Sequence, residues 1–453
     1  MVRCARPLRP SEQVGAGVRR ADARPASAVA CPVSRASISP RAARYAVALL
    51  FGVNFLNYID RYVIAAVAPL IQGDFGLSDT QVGWIGSMFM VAYMAAAPVA
   101  GVMADRWPRR FFVGGGVLVW SLATVASGLA AGYHQLLAAR SFIGIGEAGF
   151  GGVAPTLISD LFPREKRGRM LSFFYVAIPV GSALGFLFGG FMAEHFGWRA
   201  AFFVAGGPGI VLGLLALRMH EPVRGAGDGL RGEARHFDAR TAKDLLRNRT
   251  FVATTLGLSA MTFALGGMAY WMPTFFHRLR GLPLSEANTL FGSITVASGL
   301  VGTFLGGYLG DALLRRTKKA YLLVSGWGML LSVPFIAIGL TSPSRAIYLP
   351  AMFLGQVLVF LNTGPANAVL VNVALPEVRA TAIAGSIFVY HLLGDVPSPV
   401  LIGRLSEQTG SLETALLFTS VALAISGAFY LFGARTLGAD TDRVQRALLE
   451  RQN

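Results

Sequence analysis

Long apolar runs recur down the chain with short polar breaks between them, near 44–71, 81–104, 110–131, 135–158, 168–193, 200–218, 250–276, 287–311, 320–340, 346–373, 379–404 and 412–434. These runs have about the 20 residues that an α-helix needs to cross the hydrocarbon of a bilayer. They are too long for strands and lack period-2 alternation. The pattern predicts an all-α membrane protein with twelve transmembrane helices. One break is long, "HEPVRGAGDGLRGEARHFDARTAKDLLRNRT" at 219–249, and it divides the spans six and six. The expected organisation is a tail at 1–43, a six-helix bundle at 44–218, a linker at 219–249, a second bundle at 250–435 and a C-terminal tail at 436–453.

Composition agrees with burial in lipid. The 453 residues are 54% hydrophobic and only 14% charged, with a mean hydropathy of +0.54, whereas soluble domains are about a quarter charged. A net charge of +16 would by itself suggest a nucleic acid or anionic lipid partner, but its distribution says otherwise. Of the 40 Lys and Arg residues, 33 fall in the two tails and the even-numbered loops, and the odd-numbered loops hold only Arg199, Arg278, Arg280, Arg345 and Arg404. The positive-inside rule then makes both tails and the linker cytoplasmic. The charge is a topology signal, and nucleic acid is excluded as a partner. The Arg-rich N-terminal tail lacks the apolar core of a signal peptide and is expected to be disordered or weakly drawn to lipid. Cys4 and Cys31 offer neither zinc spacing nor a disulfide framework, and the six histidines are scattered, so no metal or cofactor is expected.

The halves share a repeat. "GVMADRWPRR" places Gly101, Asp105, Arg109 and Arg110 after the second span, and "GYLGDALLRR" places Gly307, Asp311, Arg315 and Arg316 after the eighth. All four pairs are offset by 206 residues, as are Gly86-Ser87 and Gly292-Ser293. Parallel six-helix repeats of this kind are a mark of secondary transporters. The loop resembles the G-x-x-x-D-R-x-x-R-R signature of the major facilitator superfamily, with Pro108 and Ala312 departing from it. More narrowly, "NYIDRY" (57–62), "RSFIGIGEAGFGGVAPTLISDLFP" (140–163), "ITVASGLVGTFLGG" (294–307) and "HLLGDVPSPVLIG" (391–403) resemble the Spinster-like lipid transporters. The resemblance implies the two-bundle major facilitator fold, and a cytoplasmic gate formed by the eight repeat residues. It implies no enzyme activity.

Gly144-Ile145-Gly146-Glu147-Ala148-Gly149 spells the G-x-G-x-x-G of dinucleotide-binding folds. That motif needs a preceding strand and a soluble βαβ unit, and here it lies inside the fourth span. Glycines so spaced instead allow helix backbones to approach closely in lipid. Gly181, Gly185, Gly189 and Gly190 in the fifth span are read the same way.

Asp60, Arg61, Arg140, Glu147 and Asp395 all fall inside spans, with His391 nearby. A charge at the bilayer centre costs about 3 kcal/mol on insertion scales, so these groups should pair or line a wet cavity. Arg140, Gly144 and Glu147 share one helical face, and Arg140 is the expected counter-charge of Glu147. His391 and Asp395 are i and i+4, with structural and functional roles equally weighted. Resemblance implies that Asp60, Arg140 and Glu147 handle protons or substrate. Candidate substrate contacts are Arg61, Asn57, Tyr58, Arg140, Glu147, His391, Asp395, Asn362 and Trp271. Asn362 and Asn367 could equally satisfy backbone broken near Pro365. Phe55, Tyr62, Trp271, Phe275 and Phe388 could line a lipid-tail cavity, although such aromatics more often pack or form interfacial belts.

These features point to a proton-coupled secondary transporter of an amphipathic lipid, a lysophospholipid or sphingoid-like molecule, acting as a monomer in a bacterial inner membrane. The alternative is a symporter of a small organic anion such as a sugar acid. A mostly apolar cavity wall would favour the lipid, and a polar closed one the anion.

Overall fold

The computed structural model describes residues 39–162, 164–223, 245–375 and 378–449. The tail to residue 38, with both cysteines, and most of the linker lie outside them. Among the described residues, twelve helices are long and apolar enough to cross a membrane. In the first half they are span 1 (Arg41–Phe75), span 2 (Asp79–Ala104), span 3 (Arg109–Leu129), span 4 (Tyr133–Leu161), span 5 (Lys166–Phe196) and span 6 (Trp198–Leu217). In the second they are span 7 (Arg249–Arg280), span 8 (Leu284–Leu314), span 9 (Ala320–Thr341), span 10 (Arg345–Asn372), span 11 (Thr381–Thr409) and span 12 (Leu412–Ala434). An even number of crossings puts the start of span 1 and the end of span 12 on one face, called here the termini face.

Local chemistry sets the helix ends. Ser78 accepts from the Gln81 backbone N–H while the Gln81 side chain accepts from Ser78 N–H, a reciprocal box that starts span 2. Spans 1, 7 and 11 all stop at a left-handed glycine, Gly76, Gly281 and Gly410, a conformation that costs other residues a Cβ clash. Spans 4, 10 and 11 are each interrupted. Span 10 breaks between Phe360 and Thr363, next to Pro365. Span 11 breaks between Leu393 and Ser398, where Pro397 and Pro399 supply no backbone N–H. The segment expected as a C-terminal tail contains a further helix, Leu437–Leu449. Its Asp440 carboxylate accepts from the Thr250 hydroxyl at 2.6 Å and the Thr250 backbone N–H at 3.3 Å, fastening this helix to the start of span 7.

The two halves repeat one packing scheme. Spans 1·6, 2·4, 3·4 and 3·6 pair in the first half, and 7·12, 8·10, 9·10 and 9·12 in the second. Spans 5·8, 2·11 and 1·7 join the halves. Glycines bring the backbones together. A Cβ on Gly144 would collide with the Phe89 carbonyl of span 2, and one on Gly146 would lie 2.7 Å from the Gly116 carbonyl of span 3. Gly181 and Gly185 meet the Phe55 and Ile59 carbonyls of span 1 in the same way. The G-x-G-x-x-G run is therefore a packing device, as its surroundings predict.

Between the halves, polar contacts concentrate on the face opposite the termini. Asp79, at the start of span 2, accepts from Gln72 at 2.8 Å, Arg278 at 2.9 Å and Ser406 at 2.6 Å. Glu407 accepts from the backbone N–H and the hydroxyl of Thr80, each at 2.7 Å. Ser285 N–H donates to Glu194 at 3.1 Å, and Tyr270 OH to the Val82 carbonyl at 2.6 Å.

Two outcomes follow. Gly144→Ala should lower stability by about 1–3 kcal/mol through overpacking. Gly207→Ala, whose Cβ would meet nothing within 4 Å, should be neutral or stabilising; thermal unfolding in detergent distinguishes them. Asp79→Ala removes the acceptor shared by spans 1, 7 and 11. It should lengthen spin-label distances between the start of span 2 and the end of span 11.

Candidate functional site

The intramembrane charges converge on one place. Span 1 carries Asp60 and Arg61 and span 4 carries Arg140 and Glu147; Asp60, Arg140 and Glu147 are almost fully buried. Arg61 Nη2 lies 2.6 Å from Glu147 Oε2. This corrects the expected partner of Glu147. Arg140 stands seven residues away, a rise of about 10 Å along the helix, and the neighbouring span supplies the contacting cation instead. Phe89 of span 2 lies beneath both guanidiniums, with Arg61 Cζ 4.9 Å and Arg140 Cζ 5.1 Å from its centroid. Tyr58 and Tyr93 lie 5.2 and 5.8 Å from Arg61 Cζ. Such contacts are worth about 2 kcal/mol or more when desolvated, so the aromatic ring takes part of the work that water does elsewhere.

Thr124, on span 3, was not singled out from sequence. Its hydroxyl lies 2.5 Å from Asp60 Oδ2 and 2.9 Å from the Trp120 carbonyl. Several polar atoms of this cluster are buried without a hydrogen-bond partner: Asp60 Oδ1, Arg61 Nε, Arg140 Nε and Nη1, and Glu147 Oε1. Buried polar atoms are normally satisfied, and here five unsatisfied ones are grouped together.

A cavity of about 340 Å³ adjoins the cluster between the two halves. Arg61, Tyr62 and Arg140 enter it from the first half, and Thr262, Thr295, Gln356 and Asp395 from the second. Most of the remaining wall is apolar, including Met90, Met261, Leu265 and Phe291. Asp395 Oδ2 lies 2.6 Å from His391 Nδ1. Asn57 is buried away from the cavity wall, and so are two other expected contacts. Trp271 is fully buried, its indole N–H donating to the Pro399 carbonyl at 2.9 Å. Asn362 sits in the span 10 break, where its amide donates to the Val359 carbonyl at 2.6 Å. The structure therefore moves Trp271 and Asn362 from substrate contact to packing. Of the five expected tail-lining aromatics, only Tyr62 is on the wall. Asn367 donates to the Thr363 carbonyl at 2.7 Å.

The two copies of the repeated loop differ. Arg109 is buried, with Nη1 2.6 Å from Asp160 Oδ2, Nε 3.2 Å from Glu221 Oε1 and Nη2 donating to the Pro222 carbonyl at 3.1 Å. It ties the start of span 3 to the end of span 4 and to the segment after span 6. Asp160 and Glu221 were not picked out from sequence. Arg315, the repeat partner of Arg109, is exposed, as is Arg316, and Asp311 accepts from Tyr321 at 2.9 Å. Gly101 is exposed and Gly307 half-buried, each with open space where a Cβ would be. The side chain of Asp105 lies outside the described residues, and the backbone N–H of Arg110 donates to Glu221 at 3.4 Å.

Comparison with known proteins fits this arrangement. The profile of the Major Facilitator Superfamily matches residues 50–394. Protein spinster homolog 3 of Danio rerio is 40% identical over 399 residues, covering 83% of this chain and 80% of the relative. Protein spinster homolog 1 of Homo sapiens is 36% identical over 447 residues, covering 90% and 84%. The chain is a Spinster-type member of the major facilitator superfamily. A crystal structure of a bacterial homolog to the human lysosomal transporter Spinster, in an inward-facing and unoccupied conformation, superposes with a TM-score of 0.79. It is 25% identical and covers 89% of this chain and 99% of that one. A D-xylose-proton symporter, 17% identical, shares the fold with a TM-score of 0.68, covering 87% and 97%. As a Spinster-type transporter the chain is an integral membrane protein and not an enzyme.

The asymmetry of the repeat can be measured. Arg109→Ala strands two carboxylates around a buried site and should cost about 3 kcal/mol or more. Arg315→Ala, on an exposed surface, should stay within about 0.5 kcal/mol. Thermal unfolding of both variants in one detergent tests the contrast.

Proposed function

We propose that this Spinster-type transporter moves an amphipathic lipid, a lysophospholipid or sphingoid-like molecule, by alternating access coupled to protons. The observation that carries the reading is the pair of guanidiniums over Phe89 at the edge of a mostly apolar cavity. Cations there suit an anionic headgroup, and the apolar wall suits the start of an acyl chain, whereas a sugar acid calls for a polar enclosure. With the opposite face held shut by Asp79 and Glu407, this conformation loads from the termini face. The charge asymmetry of the loops supports a cytoplasmic termini face, and the reading puts the protein in a bacterial inner membrane. The eight repeat residues then border the gate that closes after loading, with Gly101 and Gly307 reserved for contacts made in that state.

Coupling follows from competition for Arg61. A lipid phosphate that draws Arg61 away leaves Glu147 buried without its cation, and a buried carboxylate without a counter-charge takes up a proton. Asp60 can take part, because the Thr124 hydroxyl has one hydrogen for two neighbours. If that hydrogen goes to the Trp120 carbonyl, Asp60 itself must be the donor. Arg140, with two unpartnered nitrogens, remains to hold the phosphate. Asp395, bonded to His391, lines the cavity from span 11 and completes its polar end.

Glu147→Gln keeps the shape of a protonated Glu and an amide oxygen for Arg61. In proteoliposomes it should retain lysophospholipid exchange but lose acceleration by an imposed pH gradient, with a sugar acid tested in parallel. A variant that still responds to the gradient as wild type does would move the proton site to Asp60. Transport of the sugar acid alone would overturn the lipid reading.

A further inference from the structure

Facing the charge cluster across the cavity, the second half presents neutral polar side chains, among them Thr295 and Gln356. Thr295 of span 8 lines the cavity, and its hydroxyl is buried without a hydrogen-bond partner. Gln356 of span 10 also lines it and is 1% exposed. The Ser298 hydroxyl, 3.1 Å from Gln356 Oε1 and 3.2 Å from the Thr295 carbonyl, orients the amide. When Ser298 gives its one hydrogen to Oε1, the amide keeps its N–H donors for the cavity. Phe291 and Phe360 complete the same stretch of wall. Threonine and valine are close to isosteric, so a wall that only needed filling would take valine without burying an unsatisfied hydroxyl. A donor and a hydroxyl side by side, one oriented and one unpaired, form a recognition element for a group that both gives and accepts a hydrogen bond.

We propose that Thr295 and Gln356 form a hydroxyl-recognising subsite that takes the free glycerol hydroxyl of a single-chain phospholipid while Arg140 and Arg61 hold its phosphate. The proposal rests on the lipid reading and adds the basis of its selectivity. Phosphate and hydroxyl lie a few bonds apart in a lysophospholipid, so one molecule reaches both walls and spans the two halves. In a diacyl phospholipid that oxygen is an ester carrying a second chain and has no hydrogen to give. The cavity thereby distinguishes its substrate from the bulk lipid around it. A site built to hydrogen-bond a hydroxyl rejects the analogue lacking it more strongly than an apolar pocket rejects a missing methylene.

The test uses the full chain in detergent and two probes, a 1-acyl lysophospholipid and the same molecule with hydrogen in place of its free hydroxyl. Wild type should bind the hydroxyl-bearing probe about tenfold more tightly, the effect of one hydrogen bond. Thr295→Val and Gln356→Leu should each bring that ratio towards one while leaving the deoxy probe bound as before. Thr295→Ser, which keeps the hydroxyl, should restore the preference and guards against a valine variant that fails to fold. Equal binding of the two probes by wild type overturns the subsite and leaves the lipid reading standing. Equal loss of both probes in Thr295→Val also overturns the subsite, since the residue would then only shape the cavity. If wild type binds neither probe, the lipid reading falls and takes the subsite with it.

Discussion

Arg61 and Glu147 meet at 2.6 Å inside the membrane, and much of the surrounding architecture exists to make that contact tolerable. Each charge alone costs about 3 kcal/mol at the bilayer centre. Pairing removes part of that cost, and Phe89 removes more by offering its face to both guanidiniums. Phe89 can do so only because span 2 lies against span 4 at Gly144, where any side chain would strike the Phe89 carbonyl. One glycine therefore sets the distance between an aromatic ring and the cations it accompanies. The packing glycines and the charged residues belong to one device.

Much of this was legible in the chain. Span length and apolarity reflect the fixed thickness of the hydrocarbon, so twelve crossings could be read and their limits moved little. The Lys and Arg asymmetry, the repeat at 206 residues and the glycine runs carry their information locally. The partner of Glu147 did not. Helical spacing offered Arg140 on the same face, but the true contact crosses from span 1, and spacing within one helix says nothing about a neighbour. Asp160 and Glu221 escaped for the same reason, lying 51 and 112 residues from Arg109. Trp271 and Asn362 looked like ligands because polar groups in a span demand partners; they find them in the Pro399 and Val359 carbonyls. The Leu437–Leu449 helix was missed because it is short and amphipathic, and its hold on the protein depends on Asp440 meeting Thr250.

The two halves keep the repeat in their backbones and abandon it in their side chains. Charges concentrate in spans 1 and 4, whereas spans 8 and 10 offer Thr295 and Gln356. Arg109 is enclosed by carboxylates and its counterpart Arg315 faces outwards. A molecule bound between such halves meets different chemistry on each side and can be oriented by them. Two identical walls would hold it either way round.

Beside its apolar contacts, the rim opposite the termini is joined by hydroxyls, carboxylates, a guanidinium and backbone N–H groups. Every bond that joins Asp79 and Glu407 to the other half is one that water can make almost as well. For these polar contacts separation is therefore an exchange of partners, with little net change in the number of hydrogen bonds. Closed and open forms can then lie within a few kcal/mol of each other, a spacing that the binding of one small cargo can tip. A seal made of apolar contacts alone would have no such exchange to offer, and the polar part of this edge is what lets a small cargo move it.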